Sequence, residues 1–217
     1  MRSLQAEKSV QRNFFFIAHS VSKTIIIMKK KIAVFLSGTG SNARKIIEYF
    51  NEHPSVSIAL LVSNKPELGA KAIAAENNIP LLSISKSILY DEQAFLKSLS
   101  DYDVDFIVLA GFLLLIPPYL VKHFEKKIVN IHPALLPKYG GKGMYGHHVH
   151  EAVKAAGDTE SGMTIHFCNA HYDEGDIIFQ AKTVISLDDT PQDIARKVLT
   201  LEHAHFAPVV EKCVLAL

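Results

Sequence analysis

Asn130-Ile131-His132-Pro133 sets an amide and an imidazole two residues apart, where the apolar run Lys127-Ile128-Val129 enters a loop rich in Pro and Gly. Residues i and i+2 of a strand point to the same side, so both side chains can face one cavity. An amide N–H and a protonated imidazole aimed at one point would stabilise a developing oxyanion. On its own, the same pair could do no more than hydrogen-bond a turn. Other segments have to decide between these readings.

Ser37-Gly38-Thr39-Gly40-Ser41-Asn42 lies between a strand signal and a helix signal. Glycines permit a sharp turn there, and a helix N-terminus offers unpaired N–H groups to an anion. The segment Gly38–Ala43 fits the dinucleotide spacing G-x-G-x-x-G/A. That motif also needs an acidic residue at the end of the second strand to bind a ribose hydroxyl. Here that strand ends in Ser63-Asn64, which disfavours NAD. No Lys follows the loop in the manner of a Walker motif, which disfavours a nucleoside triphosphate. A sugar-phosphate monoester remains, with a plain turn into the helix as the alternative. Phe112-Leu113-Leu114-Leu115-Ile116 is apolar at another strand end. It reads as a slot for a flat aromatic ligand or as ordinary core packing.

His171-Tyr172-Asp173-Glu174-Gly175-Asp176 offers two carboxylates. Either Asp173 or Asp176 could pair with His132, raising the imidazole pKa and fixing its orientation. Spacing does not separate the two. His147, His148, His150 and His166 invite a metal, but no cysteine or carboxylate completes a recognisable ligand spacing. No metal is expected. Cys168 has no activating partner in sequence, so no covalent intermediate is expected either.

The elements around these segments alternate. Strands are predicted at Ile32–Leu36, Val56–Val62, Ile79–Leu82, Phe106–Ala110 and Ile128–Ile131. Helices are predicted at Asn42–Phe50, Gly69–Asn77, Asp91–Leu99, Pro117–Phe124, His147–Ala156 and from Pro191 towards Leu215. Ser161–Phe167 and Ile177–Ile185 read as further strands, with antiparallel pairing open to them. Repeated βα units imply an α/β fold, a single doubly wound and mostly parallel sheet with helices on both faces. In such sheets ligands bind beyond the carboxyl ends of the strands. The loops Ser37–Asn42, Ala110–Ile116 and Asn130–Pro137 all sit there.

Composition bounds the partners. A net charge of +1 and 21% charged residues give no field that argues for nucleic acid or a membrane surface. No apolar run approaches the ~20 residues of a membrane span. Two cysteines offer no disulfide framework, which fits a reducing, cytoplasmic setting. Residues 1–28 lack a signal-peptide pattern and read as a leader or upstream sequence. Residues 29–217 read as one domain, with Met28 as the expected start.

Taken together, these segments resemble the phosphoribosylglycinamide formyltransferase family, from about Lys31 to the C-terminal helix. The resemblance rests on Ser37-Gly-Thr-Gly-Ser-Asn42, Leu109-Ala-Gly-Phe112, Asn130-Ile-His-Pro-Ala-Leu-Leu-Pro-Lys138, His166-Phe167, Asp173-Glu-Gly175 and Glu202-His203. It implies a formyltransferase-type, Rossmann-like fold and transfer of a formyl group from 10-formyltetrahydrofolate to the amine of glycinamide ribonucleotide. It further implies Asn130, His132 and Asp173 as the catalytic trio, favouring Asp173 over Asp176. Gly40, Ser41 and Asn42 would hold the substrate phosphate, and Glu202 the rest of the ribonucleotide. Leu113, Leu114, Leu115 and Ile116, with Asn130, would line the folate pocket. Small molecules are the expected partners, and a monomer or weak homodimer the expected state. The rival readings are hydrolysis of the same donor, transfer to methionyl-tRNA and a non-catalytic binder. Two departures stand out. Leu114 replaces an Arg common in relatives, and the Gly140–Gly146 loop, with Lys142, Met144 and Tyr145, has its own sequence and length.

Overall fold

The structure is a computed structural model that describes residues 28–217. The leader expected at residues 1–28 therefore lies, Met28 apart, outside the described residues. Among the described residues, seven strands form one sheet in the order β3-β2-β1-β4-β5-β6-β7. These are β1 (Lys30–Leu36), β2 (Val56–Ser63), β3 (Leu81–Ser83), β4 (Phe106–Leu109), β5 (Ile128–His132), β6 (Glu160–Phe167) and β7 (Ile177–Val184). The first five run parallel. The last two pairings, β5 with β6 and β6 with β7, are antiparallel. Helices are α1 (Ser41–Phe50), α2 (Ala70–Asn77), α3 (Lys86–Leu89), α4 (Glu92–Ser100), α5 (Pro118–His123), α6 (His147–Ala155) and α7 (Pro191–Leu215).

The central strands are apolar throughout because each feeds two cores. Ile32, Val34 and Leu36 of β1 point to one face, together with Phe106 and Val108 of β4 and Val129 and Ile131 of β5. Side chains of α1, α2, α6 and α7 cover that face. The alternate residues Ala33, Phe35, Ile107, Leu109 and Ile128 point to the other face, where Phe95 of α4 and Leu120 of α5 pack. This period-two division is why a continuous apolar run, rather than an alternating one, marks a buried parallel strand. Phe112 and Ile116 belong to the second face. Asn130 and His132 have the parity of Ile128, so they also stand on that side.

The third strand begins two residues later than the apolar pattern suggests. Asn78 takes the left-handed conformation that ends α2, and the Ile79 N–H donates to the carbonyl of Ala74 at 3.0 Å. Pro80 has no N–H to give the sheet. Pairing with β2 therefore starts at Leu81. The short helix α3 escapes the sequence pattern altogether. Ser85 makes it, its Oγ accepting from Ile88 N at 3.2 Å.

The crevice forms where strand order reverses. From β1 the chain goes to β2 on one side, while β4 lies on the other, so the loops after β1 and β4 diverge. Ser37 ties them together at the base. Its N–H donates to the Gly111 carbonyl at 3.0 Å, its Oγ donates to Asn64 Oδ1 at 2.6 Å and accepts from Leu113 N at 2.9 Å.

Candidate active site

Beyond the carboxyl ends of β1, β4 and β5 opens a cavity of about 730 Å³, within the range of small-molecule sites. β5 delivers Asn130 and His132 to its floor, and the loop between β6 and β7 delivers Asp173. Asp173 holds a left-handed backbone, φ 58°, a conformation in which Asp is one of the few tolerated residues. Its carboxylate reaches four groups. Oδ2 lies 3.5 Å from His132 Nδ1 and accepts from Gly141 N at 3.0 Å. Oδ1 lies 3.4 Å from Asn130 Nδ2 and 3.6 Å from His166 Nε2. Asp176 is exposed, and its carbonyl accepts from Phe167 N at 2.9 Å to close the hairpin. Of the two carboxylates that spacing left open, geometry brings Asp173 to His132.

Proton positions follow from the partners. His132 Nε2 faces the Tyr139 carbonyl at 2.7 Å, which can only accept, so Nε2 carries a hydrogen. Nδ1 is then the nitrogen that gains or loses a proton, and it faces Asp173. His166 Nδ1 faces the carbonyl of Phe167 at 2.9 Å, and its Nε2 lies 3.0 Å from Asn130 Nδ2. The Asn130 amide thus stands close to His166 and only loosely against Asp173, at 3.4 Å.

His132 is 3% exposed, and that burial decides its charge. Desolvation lowers its pKa, against the opposing pull of Asp173 and the Tyr139 carbonyl. The carboxylate does raise the imidazole, as its position suggests, but burial outweighs it. Asp173 is also buried, yet its pKa falls, because His166, His132 and the Gly141 N–H together overcome its desolvation. The ligand-free pair is thus a carboxylate facing an imidazole poised to take a proton.

The rest of the cavity wall comes from three places. Leu113, Leu114, Leu115 and Ile116 form an apolar side. Gly38 and Asn42 come from the loop into α1, and Glu202 from α7. Residues 141–147 complete the lining.

The formyl transferase family profile matches residues 30–210. This chain belongs to the formyl transferase family. Phosphoribosylglycinamide formyltransferase of Haemophilus influenzae is 34% identical over 188 residues, covering 84% of this chain and 86% of that protein. The chloroplastic phosphoribosylglycinamide formyltransferase of Arabidopsis thaliana is 45% identical over 188 residues, 84% of this chain. The chain spans 64% of the length of that plant relative. The crystal structure of phosphoribosylglycinamide formyltransferase from Anaplasma phagocytophilum superposes with a TM-score of 0.77 at 32% identity, covering 86% of this chain and 87% of that one.

Within the cavity, Asn42 Nδ2 donates to Glu202 Oε2 at 2.6 Å, joining the start of α1 to the middle of α7. Asn42 Oδ1 is buried with no partner among the described residues, an acceptor awaiting a donor. Gly40 and Ser41 do not line the cavity. Gly40 takes φ 80° at the start of α1, and a Cβ there would lie 2.4 Å from Ile73 Cδ1 and 2.9 Å from Leu36 Cδ1. That left-handed backbone favours glycine. Ser41 is the first residue of α1, where backbone N–H groups are left free for a ligand.

Glu202 interrupts an apolar row. Ile194, Val198, Glu202, Phe206, Val210 and Val214 repeat every fourth residue along α7 and are all buried. Burial raises the carboxyl pKa, and the Asn42 amide partly offsets that. An acid whose folded pKa lies above its unfolded value stabilises fully below the unfolded value, and that contribution is lost as the pH rises through the folded one. Glu202→Gln keeps an acceptor for Asn42 and removes the charge. We expect its thermal midpoint to exceed wild type at pH 8 by roughly 2–4 °C, the response to ~1 kcal/mol at this chain length, and to match it near pH 4. Equal midpoints at both pH values would contradict a raised Glu202.

The four histidines considered for a metal part company. His166 joins Asn130 and Asp173. His150 is buried against the cavity with Nδ1 unpartnered among the described residues. His147 and His148 stand exposed on α6, and Glu151 brings a carboxylate to them, one that sequence spacing did not single out. His166 is the member of the central cluster whose partnership spacing alone did not reveal. Its signal was register, since His166 sits directly across from Asn130 in the β5–β6 ladder.

Proposed function

We propose that this formyl transferase moves the formyl group of 10-formyltetrahydrofolate to the amine of 5'-phosphoribosylglycinamide, a step of purine biosynthesis. The reading is carried by one observation, the convergence of Asn130, His132 and Asp173 in a single cavity. The amine attacks the formyl carbon and a tetrahedral oxyanion develops. Protonated His132 offers Nδ1–H, and Asn130 offers the amide hydrogen held only weakly, at 3.4 Å, by Asp173. Charge developing in a buried site draws most from donors already in place. His132 passes a proton to the departing folate nitrogen and is recharged by the proton that the attacking amine sheds on becoming an amide. The Asp173 carboxylate opposes the effect of burial on His132 and so favours the imidazolium once the proton arrives. Cys168 takes no part, because burial pushes its thiol well above the range where a thiolate forms.

Leu113–Ile116 form the apolar wall suited to the flat pterin, and the α1 N-terminus with Asn42 and Glu202 suits the ribonucleotide. Both substrates then meet over β5. With purified protein, formyl loss from the donor should depend on glycinamide ribonucleotide and yield the formylated amine. Formate release at the same rate without the amine would make the protein a hydrolase. No turnover with both substrates would make it a binder.

A further inference from the structure

Among the residues lining the cavity, Lys142 is the only Lys or Arg, whereas Asp173 and Glu202 are both carboxylates. Neighbouring cations are already paired: Arg44 with Glu76, Lys45 with Glu48, and Lys138 with Asp158. Lys142 is exposed and enters no ion pair among the described residues. From the geometry we infer that the Lys142 ammonium binds the phosphate of the ribonucleotide substrate; this rests on the function proposed above.

The loop's path assigns the anion. At one end Gly141 N is held by Asp173 Oδ2 at 3.0 Å, and Met144 N closes a turn onto the Gly141 carbonyl at 3.1 Å. Lys142 sits at the tip of that turn between Gly141 and Gly143, both left-handed at φ 96° and 92°. At the other end the loop enters α6, whose Val153 shares a core with Ile194, Val198 and Phe206 of α7. That is the face of α1 and α7, where Asn42 meets Glu202. The apolar wall with Phe112 and Ile116 belongs to the opposite face. The loop therefore spans from Asp173 to the ribonucleotide side, with Lys142 lining the cavity between them.

Charge balance asks for it there. A phosphate monoester carries about −1.5 to −2 near neutral pH, and it would enter beside Glu202 and Asp173. The N-terminus of α1 offers roughly half a positive charge. His132 and His150 lose basicity through burial. A lysine at a glycine-framed tip supplies a full charge on a long stem.

Lys142→Met keeps the length of the stem and removes the charge. The expected result is a ~10- to 100-fold fall in kcat/KM for the ribonucleotide, the scale of a hydrogen bond to a charged group, with KM for the formyl donor unchanged. Lys142→Arg should recover most of the loss. Calorimetric binding should also show that the preference for glycinamide ribonucleotide over its dephosphorylated form shrinks in Lys142→Met. An unchanged preference would overturn the inference while leaving the transferase reading intact. So would a loss confined to KM for the formyl donor, which would reassign Lys142 to the folate carboxylates. Wild-type protein that neither binds nor formylates the ribonucleotide would overturn the function and this inference together.

Discussion

His132→Ala and Asn130→Ala should each lower kcat by about 10²–10³, the usual cost of one oxyanion donor, while the protein stays folded. The fold should survive because β5 remains paired on both edges through backbone bonds that neither side chain supplies. The loss should appear in turnover more than in KM, since the interaction strengthens only as the oxyanion forms. Asp173→Asn separates the roles further. Burial lowers the His132 pKa and the Asp173 carboxylate opposes it, so removing the charge lets the pKa fall further. The cationic imidazole is then lost at a lower pH, and the alkaline limb of kcat/KM should move to lower pH than in wild type. Steady-state kinetics across pH, with circular dichroism of each variant, checks both statements. Near-normal turnover in either alanine variant would remove that residue from the chemistry. An alkaline limb that stays in place in Asp173→Asn would mean that the carboxylate does not sustain the imidazolium.

Gly175→Ala should damage stability and activity together. A Cβ at this position would lie 1.7 Å from the carbonyl oxygen of Phe167 and 2.8 Å from its carbon. Both are backbone atoms at the end of β6, so no side chain can swing aside. The hairpin bond from Phe167 N to the Asp176 carbonyl, 2.9 Å long, closes the same turn. Overpacking of this kind costs about 1–3 kcal/mol or more. Relief would come by shifting the loop that begins at Asp173, two residues earlier, and Asp173 needs its left-handed backbone to reach His132. Urea unfolding should show a midpoint well below wild type, and the folded fraction should turn over slowly. A variant with wild-type midpoint and rate would show that the hairpin accommodates a methyl group freely.

Much of the site is legible because it depends on local order. Strand parity alone places Asn130 and His132 on one side of β5, since alternation is a property of any extended chain. The carboxyl-end location of the three loops follows from βα repetition. Ser63-Asn64 stands where a dinucleotide site wants an acidic residue, and in the structure Asn64 accepts from Ser37 under the crevice. Glu202 could have been flagged without any resemblance, since it breaks an apolar row of period four.

Other features need the chain brought together across long separations. Asp173 and Asp176 differ by one turn of a loop, and only the left-handed backbone at Asp173 turns its carboxylate inward. His166 joins the cluster through antiparallel register with Asn130, 36 residues away in sequence. The charge of His132 depends on how deeply tertiary packing buries it, and that desolvation outweighs the carboxylate that a reading of types and spacing would favour. Residue types and their periods thus determined the chemistry available to this protein, because both act over a few residues. The tertiary structure decided which groups meet and which are charged, because contact and desolvation belong to the packed chain.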